Sequence, residues 1–155
     1  MSVALITGTS TGIGLATAVT LARAGHTVYA AMRNPDGGGG ELRELAEAEK
    51  LPATVVKIDV DNDASVAGCI ARVLAEAGRI DVLVNNAGIG GGGAVEEVKL
   101  ADVRQIMETN FFGPLRCMQA VLPGMRKQQG GCIVNISSIA GRIAAAPQAP
   151  YAASK

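Results

Sequence analysis

Short apolar runs without polar alternation recur along this chain, each followed by turn-forming residues and then a helical stretch. Val3–Ile6, His26–Met32, Ala53–Asp59, Ile80–Val84 and Gly131–Ile136 have the pattern of strands buried on both faces. Leu15–Ala24, Glu41–Lys50 and Asp63–Ala77 read as helices, closed by Gly25, Pro52 and Gly78, with Asp61 or Asn62 as the cap of the last. Leu100 to about Gln129 reads as one long helix that Pro114 and Pro123 bend or interrupt. Asp36–Gly40 reads as a flexible link with nothing to pack, and Ile89–Gly93 as a glycine loop. Ser137–Pro150 reads as loop, and Tyr151–Lys155 as the first turn of another helix.

Five β–α steps in alternation predict an α/β, doubly wound parallel sheet of the Rossmann type, with right-handed crossovers. The composition suits it. At 155 residues, 48% hydrophobic with 20 glycines and four aromatic residues, the chain fits one Ala/Val/Ile-rich sheet covered by helices. The 14 basic and 14 acidic residues cancel, so charge gives no reason to expect nucleic acid or an anionic membrane as partner. Cys69, Cys117 and Cys132 are odd in number and widely spaced, which predicts buried reduced thiols in a cytoplasmic protein. Met1 and Ser2 leave no room for a signal peptide before the first strand, and no apolar run reaches transmembrane length. No His, Cys or carboxylate cluster has metal-ligand spacing.

Ligands of such sheets sit beyond the C-terminal strand ends, and the unusual residues of this chain collect there. Gly8, Gly12 and Gly14 follow the first strand, Arg33 the second and Asp59 the third. Asn85–Gly88 follow the fourth, and Ser137–Ser138 the fifth. Strand, glycine turn and helix is the geometry that points backbone N–H groups at a phosphate, although a tight turn in any α/β protein also uses it.

Taken together, Thr7-Gly8-x-x-x-Gly12-x-Gly14, Asp59-Val60, Asn85-Asn86-Ala87-Gly88, Asn110, Ser138 and Tyr151-x-x-x-Lys155 resemble the short-chain dehydrogenase/reductase family, in order and spacing, over the whole chain. The tracts Val28–Arg33 and Gly131–Ser138 are loosely similar to its hydroxysteroid and retinol dehydrogenase branch.

The resemblance implies that Gly8, Ser10, Gly12, Ile13 and Gly14 cradle the pyrophosphate and adenosine ribose of a nicotinamide cofactor. It places Asp59 and Val60 at the adenine, and Asn86, Ala87 and Gly88 around the riboses. No carboxylate closes the second strand. Arg33 stands there instead, suiting a 2′-phosphate, so NADP(H) is preferred and NAD(H) is the other choice. The chemistry falls to Asn110, Ser138, Tyr151 and Lys155: a tyrosine acid/base beside a lysine that also holds the nicotinamide ribose, a serine orienting the substrate oxygen, and an asparagine anchoring a water. Each has a plainer alternative. Arg33 can reach into water, Asp59 can cap a loop, and Asn110 can be a polar residue facing solvent.

The function implied is hydride transfer between NADP(H) and a secondary alcohol or carbonyl; the alternative is a nucleotide-binding module without turnover. Met107, Phe111, Leu115 and Met118 recur at helical spacing as core or interface, and the resemblance implies a homo-oligomer through helix 100–129. Family members continue through two further strands and a segment over the substrate. Residues 1–155 are therefore expected to be an NAD(P)-binding domain truncated at its C-terminal end.

Overall fold

The computed structural model describes residues 1–143 and 145–155; Ala144, in the stretch predicted as loop, lies outside them. Five parallel strands, β1 (Val3–Thr7), β2 (Thr27–Met32), β3 (Ala53–Lys57), β4 (Val82–Asn85) and β5 (Cys132–Asn135), form one sheet in the order β3-β2-β1-β4-β5. The order reverses direction at β1, which pairs Leu5 with Tyr29 on one side and with Leu83 on the other. That reversal opens the crevice in which doubly wound folds bind ligands.

Alternation of side chains across the central strands sorts the core into two layers. Leu5, Tyr29, Ala31 and Leu83 face helices α4 (Asp63–Ala77) and α6 (Gly113–Lys127), where they meet Val66, Ile70, Val73, Cys117 and Val121. Ile6, Val28, Ala30 and Val84 face α1 (Gly12–Arg23) and α3 (Gly40–Glu49), where Ala18, Val19, Ala22 and Leu42 complete the second layer. Each fully buried Leu or Ile contributes about 1.5–3 kcal/mol, so the central strands are fixed by packing on both faces.

Two predicted features are corrected. Asp36–Gly40 is not a flexible link: Pro35–Gly38 forms a helical turn, α2, and Gly40 already opens α3. The turn forms because Pro35 occupies its first position, Asn34 Oδ1 accepts the Gly37 N–H at 3.1 Å, and Arg43 donates to the Pro35 carbonyl at 2.9 Å. The third thiol is also misplaced. Burial pushes Cys69 up to about 11 and Cys117 up to about 12, whereas Cys132 lies exposed on edge strand β5.

The long helix is interrupted ahead of Pro114. α5 (Leu100–Met107) passes into a single π-turn, Glu108–Phe112, before α6 begins. Pro114 has no N–H to give the Asn110 carbonyl, and its ring would crowd that carbonyl in an α-helix. Slipping the ladder so that the Gly113 N–H reaches the Glu108 carbonyl relieves the conflict. Pro123 lies inside α6.

At the opposite end of the sheet, Asp81 ties β4 to β1 by accepting the Val3 N–H at 2.8 Å while Arg79 donates to its other oxygen. Partial burial pushes the Asp81 carboxyl upward, but Arg79 and the Val3 N–H outweigh it and hold the group below its ordinary value of 3.8. A lowered folded-state value adds stability at neutral pH that is lost as pH falls through it. Urea unfolding should therefore show Asp81→Asn less stable than the parent at pH 7, with the gap narrowing as pH falls below about 4.

Candidate functional site

A cleft of about 890 Å³ runs along the C-terminal ends of β1–β4. Thr7, the last residue of β1, shapes it. Its Oγ1 accepts the backbone N–H groups of Asn86 (3.1 Å) and Ala87 (3.0 Å), and the Asn86 side-chain amide donates back to the Thr7 and Gly8 carbonyls at 2.9 and 3.0 Å. The glycine turn is thereby sewn to the chain leaving β4. Gly14 sits where a Cβ would lie 2.2 Å from the Gly8 oxygen and 2.4 Å from the Asn86 amide. Gly12 differs: its φ of +59° disfavours a side chain, but nothing lies within 4 Å of where a Cβ would stand.

All eleven residues predicted to hold the cofactor ahead of Tyr151 line this cleft: Gly8, Ser10, Gly12, Ile13, Gly14, Arg33, Asp59, Val60, Asn86, Ala87 and Gly88. The capping residue of α1, Thr11, makes no side-chain hydrogen bond to the helix, and the first turn carries no acid. The helix therefore presents backbone donors and the positive end of its dipole to the cleft. With Arg33 exposed on the rim, this donor set fits an anionic phosphate ligand. Asp59 Oδ1 accepts the Asp61 N–H at 3.2 Å, so the loop-capping alternative for Asp59 is realised alongside its place on the cleft wall.

The remaining predicted residues lie past the β4 and β5 ends. Tyr151, on the short helix α7 (Ala149–Ser154), lines a hollow of about 490 Å³ with Gly90–Gly93, Pro147 and Gln148. Lys155 Nζ donates to the Ile136 carbonyl at 3.2 Å and lies 5.8 Å from the centre of the Tyr151 ring. A Cβ built on Gly88 would be 3.1 Å from Lys155 Nζ and 3.2 Å from Asn110 Oδ1, so this group adjoins the large cleft at Gly88. Ser138 Oγ accepts the Ala140 N–H at 3.2 Å. Among the described residues no hydrogen bond joins Ser138 to Tyr151.

Asn110 does not face solvent. Only 7% exposed, it accepts the Ile89 N–H at 2.8 Å and donates to the Ile89 carbonyl at 2.9 Å and to Ser154 Oγ at 2.8 Å. Both amide hydrogens are used, leaving only the second acceptor site of Oδ1 for a water.

A family model described as short chain dehydrogenase matches residues 2–155. The chain belongs to that family. The chain is 44% identical over 151 residues to a 3-ketodihydrosphingosine reductase of Bacteroides thetaiotaomicron, covering 97% of the chain and 52% of the relative. It is 45% identical over 156 residues to human retinol dehydrogenase 8, covering 97% of the chain and 49% of that protein. A crystal structure of a variant actinorhodin polyketide ketoreductase with NADPH superposes at a TM-score of 0.93 with 39% identity, covering 99% of the chain and 59% of the other. The chain spans about half the length of the curated relatives it matches. No helix among its described residues is long and apolar enough to cross a membrane.

Several residues that build the site of this family member escaped the sequence reading. Thr7 was legible only as part of the glycine motif, yet it makes the cross-strand tie. Ser154, between the motif tyrosine and lysine, is buried and donates to the Tyr151 carbonyl at 2.7 Å while accepting from Asn110. Thr109 and Asp61 meet at 2.9 Å beside the cleft. Asn110 was named through the family resemblance, but its inward orientation, like that of Thr109, had only Pro114 as a signal in the residues themselves.

The two glycines of the α1 turn should respond differently to alanine. Gly14→Ala forces backbone apart and breaks the Asn86 tie, costing a few kcal/mol in urea unfolding, whereas Gly12→Ala costs about 1–2 kcal/mol of backbone strain.

Proposed function

We propose that this chain carries the cofactor site and the acid–base residues of an oxidoreductase that moves a hydride between NADP(H) and a secondary alcohol or carbonyl. The observation that carries the reading is the meeting of Lys155 and Asn110 with the cleft at Gly88, with the Tyr151 ring centre 5.8 Å from Lys155 Nζ. Bound in the cleft, the nicotinamide would supply or accept the hydride.

In reduction, Tyr151 would give its phenolic proton to the carbonyl oxygen as the carbon becomes a secondary alcohol. Lys155, one helical turn away, would bring an ammonium group beside the phenolate left after that transfer. Ser138 would donate its hydroxyl hydrogen to the substrate oxygen and orient it, while Oγ accepts the Ala140 N–H. Lys155 would also hold the nicotinamide ribose, and the free acceptor site of Asn110 would anchor a water that restores the Tyr151 proton. Oxidation reverses these steps.

NADP(H) is favoured over NAD(H) because Arg33, and no carboxylate, directly follows β2, and Arg33 and Ser10 line the same cleft. A second copy of the chain is the favoured partner: Phe111, 50% exposed, and Leu115, 37% exposed, present apolar surface on the α5–α6 segment. Free thiols support a reducing compartment, the cytoplasm.

Calorimetry should show NADPH binding tighter than NADH, and Arg33→Ala should abolish most of that difference by weakening NADPH on the order of tenfold or more. Equal affinities would refute the 2′-phosphate site. Tyr151→Phe should leave NADPH affinity within about twofold while turnover falls by 10²-fold or more; unchanged turnover would remove Tyr151 from the chemistry.

A further inference from the structure

The π-turn Glu108–Phe112 is held from one side by the loop that follows β3. Thr109, only 6% exposed, donates to Asp61 Oδ2 at 2.9 Å, and Gln105 donates to the same oxygen at 2.7 Å. Arg116 makes a second tie, pairing Glu108 of the turn with Asp63 and donating to the Val60 carbonyl at 3.2 Å. Val60, Asp61 and Thr109 all line the large cleft. The next residue in the turn, Asn110, makes its three hydrogen bonds to Ile89 and Ser154 instead. Two neighbouring side chains thus join opposite ends of the site: Thr109 the β3 end, Asn110 the Tyr151 end.

The Thr109 bond is the better shielded from water of the two ties to the turn. Its hydroxyl is buried, and its acceptor is a carboxylate whose other oxygen, Oδ1, is buried without a hydrogen-bond partner among the described residues. Losing Thr109 Oγ1 would leave Asp61 with Gln105 as its remaining side-chain donor, a costly arrangement for a carboxylate in these surroundings. The Arg116 pairs are more open to water, Asp63 especially.

The geometry points to Thr109 as a positioning residue: its bond to Asp61 sets the π-turn so that Asn110 clamps Ile89 and seats Ser154, three residues after Tyr151. This inference rests on the proposed function for its meaning, since Tyr151 and Lys155 matter to chemistry only if that reading holds. The bond and its effect on Ile89 are measurable without it.

Amide hydrogen exchange by NMR tests the link at the Ile89 N–H, which Asn110 Oδ1 accepts. Thr109→Val removes the hydroxyl and keeps the shape; exchange at Ile89 should accelerate about tenfold, while the Leu5 amide in the sheet core keeps its protection. Thr109→Ser restores the donor and should stay within about twofold of the parent. In an Asp61→Ala background, Thr109→Val should add nothing further. Unchanged Ile89 exchange in Thr109→Val, or Thr109→Ser behaving like Thr109→Val, would overturn the assignment. If Thr109→Val loses Leu5 protection as well and so unfolds, Asp61→Ala decides from the other side of the bond: Ile89 must be deprotected there with Leu5 intact. NADPH calorimetry on the parent protein separates the two readings, because absent binding defeats the proposed function and leaves the exchange result standing.

Discussion

A single threonine hydroxyl holds the ends of two strands together. Thr7 Oγ1 takes the N–H groups of Asn86 and Ala87, and Asn86 returns its amide to the Thr7 and Gly8 carbonyls. Backbone groups at strand ends have no ladder partners, and burying them unpaired would cost about 1–3 kcal/mol each. Here four such groups satisfy one another through two side chains. The close approach this demands leaves no room for a side chain at Gly8 or Gly14, and it sets the path of the chain along the cleft floor. The cleft owes its shape to this knot more than to the helices around it.

From there the site extends in two directions with different physics. Toward β2 and β3 the walls are backbone, one exposed guanidinium and the Asp59–Asp61 loop, open to water. Toward β5 the groups are mutually occupied, with Asn110 and Ser154 buried: Asn110 has used both amide hydrogens, Ser154 both gives and receives, and half-buried Lys155 rests on the Ile136 carbonyl. Networks of that kind rigidify when every member is satisfied.

The strands and the cleft-lining residues were legible because buried parallel strands are continuous apolar runs and because turn chemistry forces glycine. Arg33 and Asp59 could be placed at strand ends by counting alone. The π-turn could not be read: two prolines predict a break without saying which way the ladder slips, and that slip decides whether Asn110 meets water or Ile89. The glycines at 37–40 misled for a related reason. Glycine favours disorder only when nothing else fixes the backbone, and Asn34 with Pro35 fixes it. Cys132 misled because the exposure of an edge strand depends on strand order, which no local pattern encodes.

The α2 turn carries a consequence of its own. Arg33, Asn34 and Asp36 are all exposed, and the turn is tied by its own cap and by Arg43, with Gly39 at its end buried against Val55. Charge on that rim can change sign with little effect on the packing of the sheet. On the proposed function, the charge that chooses between anionic ligands would therefore sit on this rim, while the side chains that pack the two core layers lie elsewhere.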